Sequence, residues 1–279
     1  MTTSYRMPGP LGVATNNEPI DVGTMVRWYS FTPALIEQYL APRTGAYSPV
    51  NPGPGLPGAT GSAGSTPQTT TGMAAPSPAA VPDPLDKATR TLAATAYGEG
   101  GTANVPEEMA GIANVLVRQQ KARGYKTIDG FIRSDTTFAF AAHDGNARYA
   151  RLMAASVAEI KADSGMTAAV LGAVNALSDA PTDYAHGAYF WDGADIKTNY
   201  KNHPKVRAGI RITDASHNIY GIASKDVPGE EWWRDKEGNK TKLRGKWDYK
   251  FESTAGWGGT IFWKYNADFL KATANKEHD

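Results

Sequence analysis

Residues 44–84 constrain what this chain can fold into more than any other segment. They consist largely of Gly, Pro, Ala, Ser and Thr and carry almost no charge before Asp83. Such a segment cannot bury enough apolar surface to offset the entropy lost on ordering, so we predict a flexible linker. The chain then divides into an N-terminal segment (1–43), the linker (44–84) and a folded domain (85–279).

The N-terminal segment contains apolar and aromatic side chains, among them Trp28, Phe31 and Tyr39. Forty-odd residues are too few for an independent core. We therefore expect residues 1–43 to fold on a partner or on the main domain, with a partly ordered tail as the alternative.

Composition excludes several classes of protein. The 29 Lys and Arg nearly balance the 28 Asp and Glu, which leaves no basic excess for binding nucleic acid. The absence of cysteine rules out thiol catalysis and disulfides. No stretch approaches the length of an apolar membrane span, and residues 1–8 lack a signal-peptide core. Any export is expected to use another route.

The folded domain begins with helical patterns and ends with strand patterns. Apolar spacing and helix-start signals predict four helices, at 84–97, 105–118, 146–163 and 166–177. Aromatic and β-branched runs predict strands at 189–191, 246–252 and 260–265, and residues 236–239 are typical of a hairpin turn. We therefore predict an α+β domain, mainly helical, with a small antiparallel sheet.

Glu99 lies where the first helical pattern stops and glycines follow. At the C-terminus of a helix the macrodipole disfavours a negative charge, so the pKa of this carboxyl should be raised. A glycosidase general acid needs such a shift to stay protonated near neutral pH. Gly98, Gly100 and Gly101 are expected to supply backbone conformations that residues with a Cβ resist. By itself this pattern is more often that of a solvated glutamate in a helix-capping turn.

A predicted helix ends in the Gly98–Glu99 pair, a short loop follows, and a second predicted helix contains residues 112–116. In these features the region 85–195 resembles the cell-wall hydrolase family typified by spore-cortex-lytic enzymes. Residues 137–140 and 187–191 are similar to the family's cleft segment and closing aromatic strand. The sequence departs from the family in lacking an arginine soon after the glutamate and in its extra region, 196–279. The resemblance implies a lysozyme-like fold and a muramidase or lytic transglycosylase acting on peptidoglycan.

Two further segments are similar to bacterial type VI secretion effectors that degrade cell walls. These segments are 7–12, Met-Pro-Gly-Pro-Leu-Gly, and 252–264. The resemblance implies an antibacterial toxin made in the cytoplasm without a signal peptide and active in the periplasm of a target cell. It also implies a cognate immunity protein and a secretion-apparatus partner that binds residues 1–43.

The resemblance assigns Glu99 as the acid that protonates the leaving oxygen between N-acetylmuramic acid and N-acetylglucosamine. A hydrolase would add a second carboxylate, about 5 Å away for retention and farther away for inversion. Asp144 and Asp135 are the nearest candidates in sequence, although each also fits a turn or a helix cap. A lytic transglycosylase needs no second carboxylate, and the sequence leaves both outcomes open.

Four aromatic residues are candidates for stacking on sugar rings, with core packing as the alternative. They are Tyr97, Phe138, Tyr189 and Trp191. The five histidines show no zinc-site spacing, so no metal or other cofactor is predicted. Two other functions remain open: a non-catalytic wall-binding or structural component of a secretion or phage-tail apparatus, and a metal-dependent wall amidase.

Overall fold

A computed structural model describes residues 80–279, and this region is a mixed α+β structure with mostly helix. The fold class predicted from sequence is therefore confirmed. The N-terminal segment and all but the last residues of the predicted linker lie outside the described residues. Val81 is 9% exposed and packs into the core. The folded unit thus begins before the predicted boundary at residue 85.

The first half of the described region is a helical layer. Its elements are α1 (Lys87–Glu99), α2 (Pro106–Ala122), α3 (Ile128–Ser134), a 3₁₀ turn (Phe140–Ala142), α4 (Ala147–Ala154), α5 (Val157–Ala162) and α6 (Ser164–Leu177). Asp86 caps α1 by accepting from the Thr89 amide at 2.9 Å. α1 packs against α2, α3, α4 and α6, so it is the central helix of this layer.

The second half adds a four-stranded sheet with the order β1-β6-β5-β2. Its strands are β1 (Phe190–Asp192), β2 (Ile210–Arg211), β5 (Phe251–Trp257) and β6 (Thr260–Tyr265). β1–β6 and β6–β5 are antiparallel, as expected, but β2 pairs with β5 in parallel. The Phe262 ring lies against Gly111 of α2, where even a Cβ would come within 2.7 Å of the ring. This contact joins the sheet to the helical layer.

A separate two-stranded hairpin consists of β3 (Gly229–Arg234) and β4 (Lys240–Trp247). The predicted turn at 236–239 connects its strands, which confirms that assignment. The remaining helices are α7 (Asp195–Thr198), α8 (Pro204–Ala208), a 3₁₀ turn (Ala215–His217) and α9 (Ala267–Thr273). Within residues 80–279 no helix has the length and apolar character needed to cross a membrane.

Two of the predicted elements are wrong in extent. The single helix predicted over 146–163 is two helices, because Ser156 and Glu159 form a capping box that starts α5 after an extended residue, Ala155. The strand predicted over 246–252 is interrupted. β4 ends at Trp247, which packs on Phe269 of α9, and β5 begins only at Phe251.

Candidate active site

Glu99 is the last residue of α1. Its half-buried side chain reaches the 3₁₀ turn that follows Phe138, where the Ala141 amide donates a hydrogen bond to Oε1 at 2.7 Å. The two residues are 42 positions apart in sequence. The carboxyl is therefore held between the end of a core helix and a distant loop, rather than lying free in a capping turn.

Burial raises the pKa of Glu99 from 4.5 to about 7. The hydrogen bond from Ala141 opposes this shift, and the negative charge of Asp144 adds to it. The raised pKa expected from the sequence is present, although its main cause is burial. Near neutral pH the carboxyl is present in both its protonated and ionised forms, so it can donate a proton.

The glycines around Glu99 do not have the expected role. Gly98 is helical, and Gly100 has φ −71°, so neither adopts the left-handed conformation. A Cβ on Gly98 would lie only 2.6 Å from the Cβ of Ala141. The missing side chain at Gly98 lets the 3₁₀ turn approach α1 closely enough for Ala141 to bond Glu99.

Two residues of the α4 start, Asn146 and Arg148, hold the C-terminal end of α1. Asn146 Nδ2 donates to the Gly98 carbonyl at 3.2 Å, while its Oδ1 accepts from the first amides of α4. Arg148 Nε donates to the Tyr97 carbonyl at 2.7 Å, and its guanidinium lies 3.9 Å from the centre of the Tyr97 ring. These contacts satisfy carbonyls that a helix end leaves unpaired. Sequence reasoning identified Asn146 as a helix start but missed both contacts.

The two candidates for a second carboxylate lie in different surroundings. Asp144 is exposed, and one of its oxygens accepts from the Asn146 amide at 3.0 Å. Its charge acts on Glu99. Asp135 is buried, pairs with Arg123 at 3.2 Å, and accepts from the Thr137 amide. Asp144 is therefore the candidate whose charge acts on Glu99, whereas Asp135 is held by its ion pair with Arg123 and by the turn that follows α3.

The four aromatic candidates divide by exposure. Tyr97 is 3% exposed beneath Arg148, so its ring is packed in the core, the alternative to sugar stacking. Phe138 is buried among aromatic rings, with its centroid 6.1 Å from that of Trp191. Tyr189 and Trp191 are half-buried. Of these four candidates, Tyr189 and Trp191 are therefore the two that are not buried.

Sequence analysis missed Glu108, a buried carboxylate in the first turn of α2. Its Oε1 accepts from the Gly259 amide at 3.0 Å and from the Thr260 hydroxyl at 2.7 Å. Its Oε2 is buried and has no hydrogen-bond partner among the described residues. In sequence it looked like an acid that favours a helix start. In the structure it also ties α2 to the β5–β6 turn.

A cavity of about 330 Å³ lies beside the 3₁₀ turn that contacts Glu99. Its lining includes Lys87, Thr91, Asp129, His143 and Tyr149. Glu99 itself does not line this cavity, but Ala142 does, and its neighbour Ala141 bonds Glu99. A larger cavity of about 480 Å³ lies between α4, α5 and α6 and also excludes Glu99. The candidate acid thus lies next to a cavity that has both charged and apolar lining residues, and not inside it.

A second cluster of ionisable side chains lies at the end of β1. His203 Nε2 is 3.4 Å from Asp192 Oδ1 and 3.3 Å from Asp195 Oδ2. Lys205 Nζ lies 2.9 Å from Asp192 Oδ1. Burial alone would lower the pKa of His203, but the two carboxylates raise it to about 9. Among the described residues, this is the one group of acidic and histidine side chains arranged to hold a metal ion. Residue spacing did not reveal it.

Comparison with known protein families, curated proteins and solved structures finds no match to this chain.

Proposed function

We propose that this protein cleaves the glycan strand of peptidoglycan between N-acetylmuramic acid and N-acetylglucosamine, with Glu99 as the general acid. The observation that carries the proposal is a half-buried carboxyl at the end of a core helix, with its pKa raised to about 7. The resemblance of 85–195 to cell-wall hydrolases supports the choice of substrate and a lysozyme-like arrangement.

The hydrogen bond at Glu99 favours one oxygen as the proton donor. Oε1 accepts the Ala141 amide, so the acidic proton is better placed on Oε2. Protonation of the glycosidic oxygen by Oε2 breaks the bond to the anomeric carbon and leaves an oxocarbenium-like centre. General acid catalysis of this kind contributes about 10²- to 10⁴-fold in rate.

Two routes complete the reaction. In a hydrolase, a carboxylate directs water to the anomeric carbon, and Asp144 is the candidate whose charge acts on Glu99. In a lytic transglycosylase, a hydroxyl of the sugar attacks that carbon and yields an anhydro end. Exposed Asp144 fits the first route, and the second requires no further residue.

The test measures the fall in turbidity of a purified wall suspension. Glu99→Gln should lower the rate by about 10²- to 10⁴-fold while the protein stays folded. Glu237→Gln, which alters an exposed glutamate in the β3–β4 turn, is the matched control. Retained activity in Glu99→Gln would refute the proposal. If Glu99→Gln is inactive, mass analysis of the sugars released by the wild type distinguishes the two routes, because hydrolysis leaves reducing ends and transglycosylation leaves anhydro ends.

The likeness to type VI effectors extends the proposal to delivery. We expect the protein to act in the periplasm of a target cell, with residues 1–43 engaging the secretion apparatus and an immunity protein protecting the producer. Expression directed to the periplasm of a test bacterium should lyse the cells, whereas cytoplasmic expression should not. If the cells survived periplasmic and cytoplasmic expression equally well, this expectation would be contradicted.

A further inference from the structure

The cluster at the end of β1 has the shape of a metal site. Asp192 ends β1, Asp195 begins α7, and His203 directly precedes α8, so three adjacent elements converge there. Each of the three residues offers a ligand atom, and these atoms all lie within 4.8 Å of one another. His203 is fully buried and Asp192 is 7% exposed.

The distances match those of a coordinated ion better than those of a simple ion pair. A charge-assisted N–H···O bond is usually about 2.7–2.9 Å long. The two His203–aspartate distances are 3.4 and 3.3 Å. In a tetrahedral site with bonds of about 2.0–2.1 Å, neighbouring ligand atoms are about 3.3–3.4 Å apart. Two of the three distances in the cluster therefore equal the spacing of ligand atoms in such a site.

A second observation also points to a cation. Asp192 Oδ2 is buried and has no hydrogen-bond partner among the described residues. An unpaired buried carboxylate oxygen is costly. The Lys205 ammonium lies on Oδ1, 2.9 Å away, so it leaves Oδ2 unsatisfied. A metal ion bound by Asp192 would supply the missing positive partner.

We propose that Asp192, Asp195 and His203 form a binding site for a divalent transition metal, with Zn²⁺ as the best-suited ion. One nitrogen and two carboxylate oxygens suit Zn²⁺ better than Mg²⁺ or Ca²⁺, which prefer oxygen ligands alone. The side chain of Asp195 is 25% exposed, which gives the ion a path from solvent. A water molecule would complete the tetrahedral coordination. The ion would clamp β1, α7 and α8 together.

The test uses the untagged full chain after treatment with a chelator. Because Zn²⁺ must displace the proton from His203, calorimetric titration with Zn²⁺ is performed at pH 8. We expect one ion per chain, a rise in the melting temperature, and visible absorption typical of tetrahedral coordination when Co²⁺ is used instead. Mg²⁺ should bind at least about 100-fold more weakly than Zn²⁺, since the site includes a nitrogen ligand.

Variants identify the ligands. Loss of a second-shell partner alone costs about 10- to 100-fold in metal affinity, so Asp195→Asn and His203→Gln should each cost at least about 100-fold. Asp179→Asn and His186→Gln change an exposed aspartate and an exposed histidine outside the cluster and should bind Zn²⁺ like the wild type. If His203→Gln fails to fold, Asp195→Asn carries the test, because its side chain is partly exposed.

Three results would overturn the proposal. They are no Zn²⁺ binding by the wild type, unchanged binding by Asp195→Asn, and an equal loss in the control variants. No binding would mean that His203 and Lys205 alone neutralise the two carboxylates. Unchanged binding in Asp195→Asn would identify an adventitious ion only. Glu99→Gln should bind Zn²⁺ like the wild type, so this result does not depend on wall cleavage.

Discussion

Replacing Glu99 by Gln should stabilise the folded protein at alkaline pH and change its stability little in acid. The pKa of Glu99 is raised from 4.5 in an unfolded reference to about 7 in the folded state. Between these two values the folded chain holds a proton that the unfolded chain has released. The free energy of unfolding therefore falls as pH rises through this interval, and the loss is complete above pH 7.

The size of the effect follows from the shift. One pKa unit corresponds to about 1.4 kcal/mol, so ionising Glu99 in the folded protein costs up to about 3 kcal/mol at pH 8. Glutamine carries no charge, and its carbonyl oxygen can still accept the Ala141 amide. Its new NH₂ group must find water or another acceptor at this half-buried site, which reduces the gain. We expect Glu99→Gln to gain about 1–3 kcal/mol at pH 8 and close to zero at pH 4.

The assay is urea unfolding of wild type and Glu99→Gln at pH 4 and pH 8, with Glu237→Gln as the control for removing an exposed carboxylate. Unchanged denaturant slopes would show that the comparison reports stability alone. The reasoning would be refuted if Glu99→Gln and wild type differed by the same amount at both pH values. A variant that is more stable yet inactive would show that function requires the Glu99 carboxyl despite its cost in stability.

The remaining predictions concern the pH dependence of activity, the cap of α4 and the buried Glu108. Lytic activity should decline as pH rises through about 7, because the acid must be protonated. Asp144→Asn should move this decline to lower pH, because it removes a charge that raises the pKa of Glu99. Initial rates of turbidity loss, measured against pH, test both predictions. Asn146→Ala should cost about 1–2 kcal/mol in urea unfolding, since it removes the cap of α4 and the bond to the Gly98 carbonyl. Glu108→Ala should cost about 2–4 kcal/mol in the same assay, because two donors of the β5–β6 turn lose a buried charged acceptor.

Each of these three substitutions has a contrary outcome. An unchanged pH profile in Asp144→Asn would remove that residue from the electrostatics of the site. A cost below about 0.5 kcal/mol for Asn146→Ala would show that the two helix ends are not coupled. If Glu108→Ala unfolded like the wild type, the buried carboxylate would have no net stabilising role.

Helix-start residues and apolar spacing were enough to predict the helices whose bounds depend on their own segment of the sequence. Pro106 and the acids after it indicated the start of α2, and the apolar spacing indicated α1 within a few residues of its observed bounds. The break between α4 and α5 was also readable, because Ser156 and Glu159 have the spacing of a capping box. The alternation of Trp247, Tyr249 and Phe251 gave the wrong strand, because the two ends of that run bury their rings against different elements.

The site depends on contacts between residues far apart in sequence. The position of Glu99 at a helix end follows from its own segment, but its bond to Ala141 and the support from Asn146 require the folded chain. The glycines illustrate the same limit. Sequence suggests unusual backbone angles, whereas at Gly98 the structure uses the absence of a side chain for close approach.

The tie between α4 and α1 makes the site sensitive to local unfolding. α4 is only eight residues long, and most of its side chains are not buried. When its first turn opens, Asn146 and Arg148 release the carbonyls of α1 and the Tyr97 ring together. Water would then reach Glu99, and its proton affinity would fall toward that of a free carboxyl. Hydrogen exchange of the α4 amides should therefore report how often Glu99 loses its raised pKa, even though the core of α1 stays folded.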